Sequence, residues 1–477
     1  MCGLIGVVGT DDSAYEAFAG LLNLQHRGQD GAGILTVDTK RNEFSVQKGT
    51  GLVDNVFSER SFRALRGPAA IGHTRYATIG RRDPNLLQPF LDSHSGIAIA
   101  HNGNIVNCYH LREDLLRTYQ NLTFASESDS EVILQLLSTY LKGEKPKDKE
   151  SLFAAIGYAM AELVGSYAVV GMLKNCTLFG FRDPNGIRPL VMGKRDGTYA
   201  FASETVALDY LGYTDIEEVA PGEAVIITLD GKIERKTLFQ KSFSPCMFEW
   251  VYFARVESAM ANTSVYQARF QLGLILAEEV KRRGVEADVV LPIPETSRIA
   301  AGAMAEALDL PFRELLIKNR YVQRTFLLDD QAARQQAIKR KLFPIAPELA
   351  GKRCLVVDDS IVRGNTALQI VKMIKQAGAK EVILVSTCPP IANPCYYGID
   401  FPSNAELIAY DRSEDEIARE LDVDLVIYQS LDGLKKALGQ RSLCTGCLNK
   451  DYPTDVSHGS AFEEQRNIDR GKSLSEA

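Results

Sequence analysis

Short apolar runs, often alternating with polar residues, recur through the first half of the chain at 3–9, 96–100, 166–173, 177–181, 198–202 and 223–229. Gly, Asp and Asn punctuate them, and this pattern predicts β-strands joined by turns. Apolar positions take helical spacing near 13–25, 128–142 and 151–163 instead. Strand groups with separate helices predict an α+β layered domain rather than a βαβ repeat. The period changes near 230–250, where a domain boundary is expected. Beyond it, apolar strands at 287–293, 353–357, 381–386 and 424–428 alternate with helical segments at 265–284, 298–308, 331–342 and 366–378. Buried strands separated by helices predict an α/β doubly wound parallel sheet, with its ligand beyond the carboxyl ends of the strands. After Pro453 the chain is polar and ends GKSLSEA, so a disordered tail is expected.

Composition narrows the function. The 477 residues carry 54 basic against 61 acidic side chains, a formal charge of −7. That argues against nucleic acid as the principal partner, while leaving room for a local basic pocket. No apolar run reaches the ~18 residues of a membrane span, and no signal segment precedes Cys2, so a cytoplasmic protein without a membrane partner is expected. Disulfides are rare in that compartment, and the nine cysteines then require catalysis, metal binding or burial.

Cys2 follows the initiator Met directly. Removal of Met1 would place a thiol and a free α-amine on one residue. That amine, with an unperturbed pKa of about 7.7–8.0, can serve as the base for its own nucleophile. Four later segments fit the same chemistry: 26–30 (HRGQD), 72–78 (GHTRYAT), 101–104 (HNGN) and 128–131 (SDSE). Asn102 and the Gly103 N–H can donate to a tetrahedral oxyanion. Arg75 offers a bidentate fork to a carboxylate, and Asp129 an anion to an α-ammonium.

In this order after Cys2, the segments closely resemble the class II glutamine amidotransferase domain, an amino-terminal-nucleophile fold. The resemblance covers 2–235 and implies a four-layer αββα sandwich that hydrolyses glutamine to glutamate and ammonia. It implies Cys2 as nucleophile, Arg75 and Asp129 as glutamine ligands, and Asn102 with Gly103 as the oxyanion hole. With only Met1 ahead of Cys2, no propeptide is expected and maturation needs Met removal alone.

The ammonia acceptor has to be read from the second half. In the run 354–366 (CLVVDDSIVRGNT) an apolar strand delivers Asp358 and Asp359, then a short loop leads into a helix. Loop N–H groups at a helix start suit a monophosphate, helped by the Thr366 hydroxyl. The two carboxylates belong with ribose hydroxyls or a cation. The run resembles the phosphoribosyl-diphosphate (PRPP) loop of type I phosphoribosyltransferases. That resemblance places the 5-phosphate on Arg363, Gly364, Asn365 and Thr366, and magnesium near Asp358, Asp359 and Ser297, where another strand ends on the same sheet edge. Lys318 opens a basic stretch through Arg320, Arg324, Arg334, Lys339 and Arg340 to Lys341. Such cations, with Lys318 and Lys341 as substrate contacts, would close over a diphosphate leaving group. No GxxxxGK[ST] sequence is present, so a kinase reading has no support.

Glutaminase followed by phosphoribosyltransferase, over 2–454, resembles the glutamine PRPP amidotransferase family. The second domain is placed at 250–454 and the tail at 455–477. The resemblance implies synthesis of 5-phosphoribosylamine, glutamate and diphosphate, the first committed step of purine synthesis. It also implies internal passage of ammonia with Tyr76 as a candidate link, purine nucleotides as feedback inhibitors, and a homodimer or homotetramer. The sequence departs from the family pattern at Val256, Glu257, Gln323, Asp329, Asp330, Phe343 and Asn365. These departures fall mostly on the PRPP side and keep open a regulatory paralogue that binds PRPP or nucleotides. The complete set of Cys2, Arg75, Asn102 and Asp129 speaks against that reading. A glutaminase feeding another acceptor is disfavoured by the 353–366 run.

Cys444 and Cys447 form a C-x-x-C pair, which serves in redox motifs, zinc sites and iron–sulfur sites alike. A four-thiolate site needs two more sulfurs, and Cys246 and Cys395, each after a Pro, are available. These four positions match the branch of the same family that carries a [4Fe–4S] cluster, with structural zinc or no metal as alternatives. Cys108, Cys176, Cys354 and Cys388 are expected to be packing residues.

Overall fold

The structure, a computed structural model, describes residues 1–77, 83–141, 149–319, 342–401, 403–440, 442–460 and 463–464. Two antiparallel sheets face each other in the first half. One runs Thr214–Glu218, Val191–Arg195, Thr198–Ala202, Gly3–Val8, Ala69–Arg75, Gly31–Asp38 and Glu43–Thr50. The other runs Ile233–Thr237, Glu223–Ile227, Leu178–Arg182, Gly165–Leu173, Ile97–Ile105 and Phe90–Asp92. Gly3–Val8 is buried along its whole length, and the period of two sends its side chains into different layers. Leu4 and Val8 enter the core between the sheets, whereas Ile5 and Val7 pack under the helix Ser13–Asn23. On the far face of the second sheet, Ile97, Ile99, Val169 and Phe179 meet the helices Cys108–Thr118, Asp129–Leu141 and Lys149–Glu162. The layers are αββα.

Four parallel strands build the second half, in the order Val289–Pro292, Arg353–Asp358, Glu381–Ser386 and Leu425–Tyr428. Cys354, Val356, Val382 and Leu384 face the helices Asn365–Gln376 and Glu414–Leu421. Leu355, Val357, Ile383 and Val385 face Val265–Arg282 and Arg298–Leu308. With helices on both faces, this is the doubly wound sheet expected from the sequence.

Gly31–Asp38 and Ala69–Arg75 lie outside the predicted strands. Nearly every residue in them is buried, so they show no polar–apolar alternation. Their small residues answer to close packing: a Cβ on Gly33 would stand 2.0 Å from the Gln88 carbonyl oxygen. The helix expected at 331–342 falls outside the described residues except for Leu342, which starts the strand Leu342–Pro344; Lys341, Gln323, Asp329, Asp330 and the basic residues from Arg320 onward also lie outside them. The first residues of the segment 455–477 make contacts, and most of the rest lies outside the described residues. The His458 ring stacks on His110 with centroids 5.4 Å apart, and the Gly459 N–H donates to the Val456 carbonyl. Among the described residues, no helix is long and apolar enough to cross a membrane.

Buried ions tie the two halves together. Glu249 accepts from Arg27 Nη2 at 3.0 Å and Nη1 at 3.1 Å, and from Arg188 Nη1 at 3.2 Å. Arg27 also pairs with Glu204, which His26 Nε2 reaches at 2.7 Å. Burial opposes ionisation of Glu204, but His26 and Arg27 outweigh it and hold its carboxyl well below the usual range. That pairing stabilises the fold at neutral pH and is lost as pH falls through the lowered pKa. Removing the charge in Glu249→Gln leaves Arg188 buried without its carboxylate. The expected cost is about 3–5 kcal/mol, read as a lower midpoint in urea unfolding; an unchanged midpoint would show the pair to be neutral.

Candidate active sites

Cys2 is gripped through its backbone. Its N–H donates to Asn102 Oδ1 at 3.2 Å, and its carbonyl accepts from Arg27 Nε at 2.9 Å. The thiol lies 3.9 Å from the Tyr76 carbonyl, in a pocket lined also by Arg75, Asn102, Gly103, Asp129 and Gly398. With its oxygen committed to Cys2, Asn102 keeps a buried Nδ2 that has no partner among the described residues. A buried unpaired donor costs about 1–3 kcal/mol, and this one belongs to a residue that lines the same pocket as Cys2. Gly103 follows with φ +147°, and a Cβ there would meet the Ser166 carbonyl oxygen at 2.0 Å. Only glycine fits.

The substrate-binding candidates converge on the same pocket from different elements. Asp129 begins the helix Asp129–Leu141; its Oδ2 accepts the Ile105 N–H at 3.1 Å, and Oδ1 lies 3.7 Å from His101 Nδ1. Arg75 ends its strand almost buried and donates Nη1 to the Asp83 carbonyl at 3.2 Å. Burial lowers its pKa against the pull of Cys2, Asp30, Asp83 and Asp129. Burial also holds His101 and His73 below the usual imidazole range, the nearby Asp129 notwithstanding for His101. Both rings are neutral at pH 7. The backbone grip of Arg27 and the presence of Gly398 were not read from the sequence, since the first is a side chain meeting a carbonyl and the second comes from the other half of the chain.

A second site lies at the carboxyl edge of the parallel sheet. Asp358 ends Arg353–Asp358; its Oδ1 accepts the Asp359 N–H at 2.9 Å, and Asp359 Oδ1 accepts the Ser360 hydroxyl at 2.7 Å. Burial raises the pKa of both, and the charge of Asp359 raises Asp358 further. Asp359 is raised to about 6, with Ser360 and the Arg269 guanidinium opposing the rise. Gly364, at φ +76°, caps the helix Asn365–Gln376, so Asn365 and Thr366 sit exposed in its first turn.

The remaining PRPP-side candidates are less uniform. Ser297 is buried at the start of Arg298–Leu308, its hydroxyl donating to the Ile293 carbonyl at 2.5 Å. Lys318 is exposed at the end of Leu316–Lys318. Arg363, read from sequence as a phosphate ligand, donates Nε to Glu406 at 3.0 Å and faces Asp400 at 3.9 Å.

Cys246, Cys395, Cys444 and Cys447 are free, buried and gathered in one apolar cluster. Cys246 and Cys444 are opposite each other across an isolated parallel bridge. The Cys447 carbonyl accepts the Ala392 and Asn393 N–H groups at 3.0 Å, and Cys395 Sγ accepts the Tyr397 N–H at 3.4 Å. Burial, reinforced by the neighbouring thiols, pushes Cys444 and Cys447 well up and Cys246 to about 11. Among the described residues no three His, Cys, Asp or Glu side chains are arranged to hold a single ion. Cys388 is buried in the same cluster.

Residues 73–210 match the family model of a glutamine amidotransferase domain, and 264–400 that of a phosphoribosyl transferase domain. An amidophosphoribosyltransferase of Pasteurella multocida is 43% identical over 453 residues, spanning 93% of this chain and 90% of that protein. The chain belongs to the amidophosphoribosyltransferase family. The amidophosphoribosyltransferase of Methanocaldococcus jannaschii is 42% identical over 96% of this chain and 98% of its own. Among solved structures, the glutamine PRPP amidotransferase of B. subtilis, complexed with ADP and GMP, superposes with TM-score 0.85 at 38% identity, covering 95% of this chain and 98% of that one. A second, titled the allosteric regulatory enzyme of purine biosynthesis, gives 0.87 at 39%, covering 95% and 97%. As an amidophosphoribosyltransferase, the chain converts PRPP, glutamine and water to 5-phosphoribosylamine, glutamate and diphosphate, the first step of de novo purine synthesis.

Proposed function

We propose that the family reaction is divided between the two sites, with Cys2 as the glutaminase nucleophile. The observation that carries this reading is the Cys2–Asn102 pair, one amide oxygen holding the Cys2 backbone and a buried amide nitrogen without a partner among the described residues, on residues that line one pocket. Met1 is buried, and burial lowers its α-amine to about 5. Its removal transfers the free amine to Cys2, at the nitrogen that Asn102 holds. That amine takes the thiol proton, and the thiolate sulfur bonds to the side-chain carbonyl carbon of glutamine. Asn102 Nδ2 and the Gly103 N–H receive the oxyanion. The proton goes to the departing ammonia, and water cleaves the thioester to glutamate. Arg75 takes the substrate carboxylate and Asp129 its ammonium.

Ammonia then passes Tyr76 without meeting bulk water, which would protonate it. It bonds to C1 of PRPP as the bond to diphosphate breaks. The first turn at Gly364, Asn365 and Thr366 takes the 5-phosphate, and Asp358 and Asp359 take the ribose hydroxyls. Two partly buried, adjacent carboxylates of raised pKa fit Mg²⁺, whose charge replaces the proton that such a pair retains. Bound there, with Ser297 nearby, it would neutralise the diphosphate. Lys318 and Lys341 serve the same leaving group, while Arg363 shapes the loop through Glu406. Cys246, Cys395, Cys444 and Cys447, four free buried thiols in one apolar cluster, supply the ligand type and number that a [4Fe–4S] cluster takes. Its contribution would be structural.

Purine nucleotides as inhibitors, a homodimer or homotetramer, and a cytoplasmic location complete the reading. The ADP and GMP in the B. subtilis relative support the first. The test is diphosphate release from PRPP by protein purified without oxygen. Release is expected with glutamine or ammonia and not without either, and PRPP should stimulate glutamine hydrolysis. Glutaminase activity indifferent to PRPP would contradict the coupling.

A further inference from the structure

Gly398 belongs to the phosphoribosyltransferase half, yet it lines the glutamine pocket. It ends a short loop that begins at Cys395, and the first half fastens that loop at consecutive carbonyls. Asn104 Nδ2 donates to the Tyr396 carbonyl at 2.9 Å. The Ser166 hydroxyl and Arg188 Nε each donate to the Tyr397 carbonyl at 3.0 Å. Gly398 is thereby set against Gly103. A Cβ built on Gly398 would stand 2.7 Å from the Gly103 carbonyl oxygen and 3.0 Å from its carbonyl carbon. Gly398 also has φ +92°, which few other residues adopt without strain. The opposite side of Gly103 is closed by the Ser166 carbonyl.

A glycine has two soft dihedrals and no side chain to hold it, so its N–H points where its neighbours make it point. Gly103 has backbone from two directions, Ser166 on one side and Gly398 on the other. We propose that Gly398 is a positioning residue for the glutaminase half-reaction, its backbone holding Gly103 where the N–H meets the oxyanion. The inference rests on the assignment of Gly103 to the oxyanion hole. It makes the second domain part of the first domain's transition-state machinery, independently of where ammonia goes afterwards.

The test is Gly398→Ala in the full-length, cluster-loaded protein. A displaced donor acts in the transition state and barely in the ground state, so kcat with glutamine should fall about 10–100-fold while KM for glutamine stays within about threefold. Ammonia-dependent synthesis from PRPP and iron content should match the parent. A parent-like kcat with glutamine overturns the proposal. So does a proportional loss of ammonia-dependent synthesis, which would mark a merely structural role. Should Gly398→Ala fail to fold, Ser166→Ala decides. It removes one fastening of the loop and should lower the same kcat about threefold, a parent-like value again overturning the proposal. Asn102→Ala separates the two layers of the argument. If it retains parent kcat, the oxyanion assignment falls and this proposal with it. If it is impaired while Gly398→Ala is not, this proposal alone falls.

Discussion

Cys2→Ala should lower glutamine-dependent synthesis by at least ~10⁴-fold and leave ammonia-dependent synthesis within about twofold of the parent. The size follows from chemistry that no neighbour can replace. The pocket wall holds a second thiol, Cys108, but burial pushes its pKa well up and keeps it protonated; His101 is a buried imidazole held below its usual range, and Asn102 and Gly103 offer donors and no nucleophile. Ammonia added from solution bypasses thioester formation and reaches PRPP at a site built on a different sheet. Glutamine affinity should survive, because the proposed ligands of its carboxylate and ammonium, Arg75 and Asp129, are untouched. Steady-state rates with the two nitrogen donors, measured side by side, check the prediction. Equal losses with both would place Cys2 in structure instead of chemistry.

The second large effect is expected from Cys444→Ser. Cys444 lies at the bridge to Cys246, where the linker between the halves meets the carboxyl-terminal segment. Structural metal sites of this thiolate type contribute on the order of 10 kcal/mol, comparable with the whole stability of a domain. Losing even ~4 kcal/mol lowers the melting temperature by about 8–16 °C in a domain of this size. With the proposed cluster held by these thiols, the variant should lose its visible absorbance and iron and melt well below the parent. Unchanged absorbance and melting would reject the cluster.

The sequence made most core strands and the residues of the Cys2 pocket legible, and left the interdomain contacts dark. Arg353–Asp358 could be read because four consecutive apolar residues precede two carboxylates, a pattern that survives without knowing any neighbour. Cys2, Asn102 and Asp129 could be read because their spacing resembles a known domain. Ala69–Arg75, which delivers Arg75, could not be read as a strand, since small residues buried on both faces have no period. Arg363 shows a different limit. Its place beside the phosphate loop was legible, but its partner Glu406 lies 43 residues on, and one charge does not announce which opposite charge it will meet. Gly398 was hidden most completely, because nothing in a Tyr-Gly-Ile-Asp run says that the glycine abuts a backbone 295 positions earlier.

The chain of buried charge from Glu204 through Arg27 and Glu249 to Arg188 bears on how the protein can be taken apart. A cut at 235 would leave Arg27 and Arg188 in one fragment and Glu249 in the other. Arg27 would keep Glu204 and the separated ions would be hydrated, but the apolar residues packed about them, Met1 and Ile187 in the first fragment and Met247 and Trp250 in the second, would lie open to water. Although the chain looks like two modules joined end to end, its halves are obligate complements. Gene dissection should yield two insoluble pieces, and any exchange of one half for that of a relative has to carry its matching ions along.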